Sequence, residues 1–207
     1  MKSQSTTQSN RPYVLKGKLI GLKALHREDA AAATPLFQNL EMITYLSKRG
    51  LRPETVESEL AWFEKALKNE PDMVHFSIFE LKRQRYIGGV GLFGISPMNH
   101  ATLGICIADP SCWGKGYGTE ATRLMVEYGF FFLNLYNIRL HVFGYNERGR
   151  RAYVRAGFRE VGRLRGTIVV GGRRYDEIIM DITRDEVDLS RMLKLVPLVE
   201  QCQAQST

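Results

Sequence analysis

Gly114, Gly116 and Gly118 stand at alternate positions in the stretch Trp113-Gly-Lys-Gly-Tyr-Gly-Thr119. An alternating apolar run precedes it and a helical pattern follows it. Glycine lets successive backbone N–H groups turn toward one point, and a helix N-terminus adds a partial positive charge. Such a cradle suits a pyrophosphate. It is not a P-loop, because Lys115 is followed by Gly116 where that loop needs Ser or Thr. Nor is it the dinucleotide fingerprint, because the third residue after Gly116 is Thr119 rather than glycine. Taken alone, the loop reads equally well as a tight surface turn.

The elements around it give the loop a setting. Leu103, Ile105 and Ile107 alternate with Gly104, Cys106 and Ala108, the pattern of a strand between two packed layers. Asp109-Pro110 stops that strand, since proline has no N–H for a ladder. After the loop, Ala121, Leu124, Met125, Tyr128, Phe132 and Leu135 share one helical face. Ile138 to Phe143 is the next strand. A short helix from Glu147 to Ala156 follows, ended by Gly157 as a left-handed cap.

The strand, the loop and the segment Asn146-x₆-Tyr153-x₃-Gly157-Phe158 resemble, in this order, the GNAT superfamily of acetyl-CoA-dependent N-acetyltransferases. The resemblance spans Lys18 to Arg184 and is nearest to the branch that acetylates ribosomal-protein N-termini and polyamines, including spermidine. Trp113 stands where the family's loop usually begins with Gln or Arg, and Gly149 where it usually has Ser or Ala. The resemblance implies acetyl-CoA as cosubstrate and no metal. It implies that Trp113, Gly114, Lys115, Gly116, Tyr117, Gly118 and Thr119 hold the pyrophosphate. It also implies that the backbone of Ile105, Cys106 and Ile107 pairs with the pantetheine arm as an added half-strand.

Acetyl transfer to an amine needs a neutral amine, a polarised thioester carbonyl and a proton for the leaving thiolate. By the resemblance, Tyr153 supplies that proton, and a phenol is still a donor at neutral pH. Asn146 is implied as a cofactor contact; on its own it reads as a helix N-cap. His141, Glu120, Glu127 and Asp109 are candidates for the base by location only. A water chain is an alternative.

Elsewhere, Leu19 to Leu25 reads as a first strand, followed by an alanine-rich helix to Leu40. A second helix begins at Pro53-Glu54, with Val56, Leu60, Phe63 and Leu67 on its apolar face. Val74–Leu81 and Arg85–Gly94 form a hairpin, as do Phe158–Val169 and Arg173–Thr183 around Gly171-Gly172. Asp185 to Leu195 reads as a last helix. The expected fold class is α/β (α+β): a GNAT-like three-layer arrangement. Its mixed, mostly antiparallel sheet has about seven strands, splayed at the cofactor cleft, with about four flanking helices plus a C-terminal one. The expected organisation is a polar tail over 1–12, one domain over 13–196 and a polar tail over 197–207.

The chain has 207 residues, 44% hydrophobic and 25% charged, with net charge +7 and pI near 9.4. The basic balance fits a polyanionic cofactor or nucleic acid. Arg148, Arg150, Arg151 and Arg155 lie close in sequence to the cofactor segments and favour the first. No RNP pattern, zinc spacing or helix-turn-helix accompanies the charge. Cys106, Cys112 and Cys202 show no metal-ligand spacing. No leader or long apolar span is evident, so the expected location is the cytoplasm, away from membranes. The acceptor is expected to be a protein N-terminus or a small-molecule amine, and a homodimer is left open. The alternatives are a CoA- or nucleic-acid-binding module without turnover, and transfer of a different acyl group.

Overall fold

A computed structural model describes residues 11–46, 55–68 and 70–195. The expected tails therefore lie outside the described residues, apart from Arg11 and Pro12, and so does the Pro53-Glu54 helix start. Eight strands form one sheet: β1 (Leu15–Lys16), β2 (Ile20–Ala24), β3 (Met73–Glu80), β4 (Arg85–Phe93), β5 (His100–Ile107), β6 (Asn137–Phe143), β7 (Arg159–Val170) and β8 (Arg173–Thr183). Their order is β1-β2-β3-β4-β5-β6-β8-β7. β5 and β6 pair in parallel, while β1–β2, β2–β3, β6–β8 and β7–β8 are antiparallel. The strand beyond the expected seven is the two-residue β1. The helices are α1 (Asp29–Phe37), α2 (Leu40–Thr44), α3 (Val56–Ala66), α4 (Tyr117–Phe132), α5 (Glu147–Ala156) and α6 (Ser190–Leu195).

The chain divides into two compact units. The first holds β1–β3, α1–α3, the β4 residues up to Val90 and the stretch Ile105 to Ala121. In it, Leu22 of β2 lies opposite Ile78 of β3, and neither is exposed at all. Ala30 and Ala33 of α1 are small, which makes room for Phe63 of α3, with Leu25, Phe37, Leu60 and Tyr86 packed around them. Burial of Phe63 contributes about 1.5–3 kcal/mol. The α3 face matches the expected one at Phe63 and at Leu60, which packs beside it, and departs from it at the other two positions. Glu59 and Phe63 are buried, while Val56 and Leu67 are exposed. A capping box between Thr55 and Ser58 starts this helix. The single alanine-rich helix expected up to Leu40 is two helices, because the Asn39 side chain leaves the first and caps α2 at the N–H groups of Glu41 and Met42.

The second unit holds residues 71–73, 91–104 and, among the described residues, 122–195. Along β6, Ile138, Leu140 and Val142 are buried and lie opposite Ile182, Met180 and Ile178 of β8. This apolar face packs on α4, where Gly129 lies against Leu92 and Ile138. Ala121, Leu124, Met125 and Leu135 of the expected face are buried, but Phe132 is 46% exposed and Phe130, outside that face, is fully buried. The C-terminal segment covers that second side of α4: Arg184 Nη1 donates to Phe130 O and Arg191 pairs with Glu127. The expected last helix also divides. Arg184–Glu186 is a 3-10 turn under a Thr183–Glu186 capping box, and Asp188 caps the start of α6 through Ser190 N.

Candidate active site

β5 leads directly into the loop. Asp109 accepts the Ser111 N–H at 2.8 Å and caps a 3-10 turn over Pro110–Cys112. Arg85 ties that turn to the sheet. Its Nη1 is 2.6 Å from Asp109 Oδ2, its Nε 3.0 Å from Glu80 Oε2 and its Nη2 3.2 Å from Cys112 Sγ. Burial pushes both carboxyls up, but hydrogen bonds from Ser111 and then Arg85 hold Asp109, and those from Tyr117 and then Arg85 hold Glu80, below the usual carboxylate range. Tyr117 OH donates to Glu80 Oε1 at 2.8 Å, so this side chain serves the scaffold.

Gly114 and Gly116 have φ of 73° and 85°. A β-branched side chain at Gly116 would be strained in that conformation. α4 begins at Tyr117, inside the stretch the helical pattern was expected to follow, so Gly118 and Thr119 belong to its first turn. Lys115 is exposed. Trp113 sits edge-on to Tyr45 and donates its indole N–H to Ile107 O at 2.7 Å. The Cys106 carbonyl is turned onto β4, where a Cβ on Gly88 would lie 1.9 Å from its oxygen. Strand alternation therefore directs the polar groups of Ile105 and Ile107 to the opposite edge of β5. Burial pushes the Cys106 thiol up to about 12, which makes it unreactive at neutral pH.

Glu120, one of the four base candidates, is engaged elsewhere. Its carboxylate accepts the backbone N–H groups of Lys18, Leu19 and Ile20 at 2.7, 2.8 and 2.9 Å. It fastens the β1–β2 turn to the start of α4. Asp109 is the turn cap described above. Glu127 is paired with Arg191 at 2.7 Å, and burial pushes its carboxyl up.

In the second unit, Asn146 caps α5 by accepting the Gly149 N–H at 2.9 Å. Gly157 ends the helix at φ 109°. Tyr153 is half-buried with its ring 6.3 Å from Phe158. His141 lies on the polar face of β6, and its Nδ1 is 3.0 Å from Oε1 of the buried Glu177. Sequence reasoning missed Glu177, Arg85 and the anchoring part played by Glu120. Only the alternation within β8 marks Glu177, as a charge on a strand. Among the described residues no group of three or more His, Cys, Asp or Glu is placed to hold a metal.

An open mixed sheet carrying a glycine loop at the head of a helix is the architecture of a CoA-dependent acyl transferase. Residues 20–159 match the family model of the acetyltransferase (GNAT) domain, and the chain belongs to that family. It is 31% identical over 181 residues to the probable N-acetyltransferase YjcK of Bacillus subtilis, covering 82% of this chain and 96% of that one. It is 28% identical over 175 residues to the spermidine N(1)-acetyltransferase of Escherichia coli K12, covering 79% and 85%. The structure of spermidine N-acetyltransferase from Vibrio cholerae in complex with CoA and spermine superposes with a TM-score of 0.72 at 26% identity, covering 82% and 98%. The chain is an acetyl-CoA-dependent N-acetyltransferase.

Proposed function

We propose that this enzyme moves the acetyl group of acetyl-CoA onto the primary amine of a small molecule or a peptide N-terminus, by direct attack on the thioester. The observation that carries the cofactor assignment is the loop: two left-handed glycines leading into α4, directly after β5. The backbone of Trp113 to Thr119 holds the pyrophosphate. Ile105 and Ile107 offer their edge to the pantetheine arm, and the Trp113 indole already occupies the Ile107 carbonyl. Cys106 contributes its small side chain rather than its backbone. Asn146 caps α5 with its oxygen and retains its NH₂ for the cofactor. Tyr153 protonates the departing thiolate.

The relatives named for spermidine make polyamines the first acceptors to test. The early helices offer mixed charge: Glu41 and Glu57 are exposed and Glu59 is buried. Among the described residues these carboxylates form no broad anionic well, and we take this to favour a small amine or peptide N-terminus over a long polycation. The test is an acetyl-CoA consumption screen over spermidine, amino acids, aminoglycosides and short peptides, paired with calorimetric titration by CoA and by duplex DNA. Amine-dependent consumption with CoA binding is expected. CoA binding without turnover of any amine would make the protein a binding module, and tight DNA binding without CoA would overturn the reading.

A further inference from the structure

The β1–β2 turn, residues 17–19, lies against the start of α4, and both belong to the first unit. Three consecutive backbone N–H groups, those of Lys18, Leu19 and Ile20, converge on the Glu120 carboxylate at 2.7, 2.8 and 2.9 Å. An ionised carboxylate only accepts hydrogen bonds, and those it accepts are roughly twice as strong as neutral ones. A Cβ on Gly17 would lie 2.5 Å from Glu120 Cδ, so a residue without a side chain is what lets the carboxyl group seat there. The turn has its own closure from Gly17 N to Ile20 O at 2.8 Å, and Leu81 N, just past β3, donates to Leu19 O at 3.0 Å.

The same contact reaches the glycine loop. Glu120 N donates to Gly116 O at 3.0 Å, so this one residue bonds the loop with its main chain and the turn with its side chain. Leu19 Cδ1 stands 3.5 Å from where a Cβ on Gly116 would be, and Gly116 is the glycine held at φ 85°. The turn therefore touches the loop at the residue that a phosphate must approach.

Electrostatics gives this arrangement a reason. An acid in the first turn of a helix is favoured by the helix dipole, but it repels an anion bound at the same end. Three N–H dipoles gathered on Glu120 offset its charge, so that charge is spent on the turn rather than set against a phosphate. A tie that served stability alone would need neither an acid at this end of α4 nor a side chain resting on Gly116.

We propose that Glu120 is a positioning residue for the cofactor. By clamping the β1–β2 turn it holds Leu19 against Gly116, and so keeps the glycine loop in the conformation that takes the pyrophosphate. This rests on the acetyl-CoA reading above. It adds to the cofactor site a turn that ends 100 residues before Glu120 in the chain. Glu120 makes and breaks no bond in the reaction; its effect is on affinity for CoA.

The test is calorimetric titration of the full chain with CoA, with the melting temperature measured on the same samples. Glu120→Gln keeps the size of the side chain and removes the charge that gathers the three N–H groups. Its Kd for CoA should rise about tenfold, the worth of one hydrogen bond to a charged group. Leu19→Ala changes a position that is 43% exposed, so the variant should fold, and it should weaken CoA binding several-fold. Amide hydrogen exchange over residues 114–119 should quicken in both variants and stay unchanged over α5. A purely structural tie predicts a lower melting temperature with Kd kept, because the folded fraction binds as before; that result overturns the proposal. Should Glu120→Gln not fold, Leu19→Ala decides alone. Wild-type Kd in both variants overturns the positioning role and leaves the acetyl-transfer reading standing. If the wild type itself does not bind CoA, that reading fails first and takes this proposal with it.

Discussion

Arg85 and Asp109 are joined at 2.6 Å, and through that contact β4 holds the turn that presents the glycine loop. The same guanidinium bonds Glu80 and approaches the Cys112 thiol, so one side chain braces both ends of Pro110–Cys112. Arg85→Ala should leave two acids without their cation. The guanidinium is 35% exposed, so the expected stability loss is discounted to about 1–2 kcal/mol. The loop should loosen with the turn. A several-fold higher KM for acetyl-CoA with kcat nearly kept is expected, and Arg85→Lys should recover only part of it because it lacks the fork. An unchanged KM would detach this network from cofactor binding.

Gly116→Val places a β-branched residue at φ 85° and a side chain where phosphate must approach. KM for acetyl-CoA should rise at least tenfold, a loss of about 1.4 kcal/mol or more in binding. Circular dichroism should show a folded protein, because the position is exposed. A folded variant with wild-type CoA affinity would move the pyrophosphate site elsewhere.

Tyr153→Phe keeps the ring beside Phe158 and deletes only the hydroxyl. If the phenol protonates the thiolate, the single-turnover rate should fall about 10²–10⁴-fold with CoA affinity nearly unchanged. Steady-state kcat can hide this if product release is slow, so pre-steady-state measurement is required. A melting temperature that drops while the rate stays normal would assign the hydroxyl to packing.

His75 lies edge-on to Trp62 at 4.9 Å, and burial lowers its ring to about 4. Its folded value is below the ordinary imidazole value of about 6.5, so the unfolded chain binds the proton more readily. Its contribution to stability is complete above pH 6.5 and is lost as pH falls toward 4. The loss is up to about 3 kcal/mol, reduced by whatever solvent reaches the ring. Urea midpoints at pH 7 and pH 4.5 should differ by less in His75→Leu than in wild type. Equal differences would place the acid sensitivity in other groups.

The local grammar of the chain was enough for the elements that bear the chemistry. Alternation read β5 and β6, Asp-Pro ended β5, and Gly157 ended α5 at the expected residue, because each is a short-range preference of the backbone. Gly171 and Gly172, both at positive φ, turn the β7–β8 hairpin as their pairing implied. The family followed from the order and spacing of these pieces. Side-chain partnership did not follow, since it joins residues far apart in the chain. Glu120 reads as an ordinary first-turn acid until the fold brings Lys18, more than a hundred positions away, to its carboxylate. Glu177 reads as a strand residue until β8 pairs with β6 and delivers it to His141. The buried faces of α3 and α4 also depended on tertiary neighbours. Helical periodicity gives the spacing of a face, and the packing partner decides how far around the helix burial extends: alanines of α1 beside Phe63, and the C-terminal segment beside Phe130.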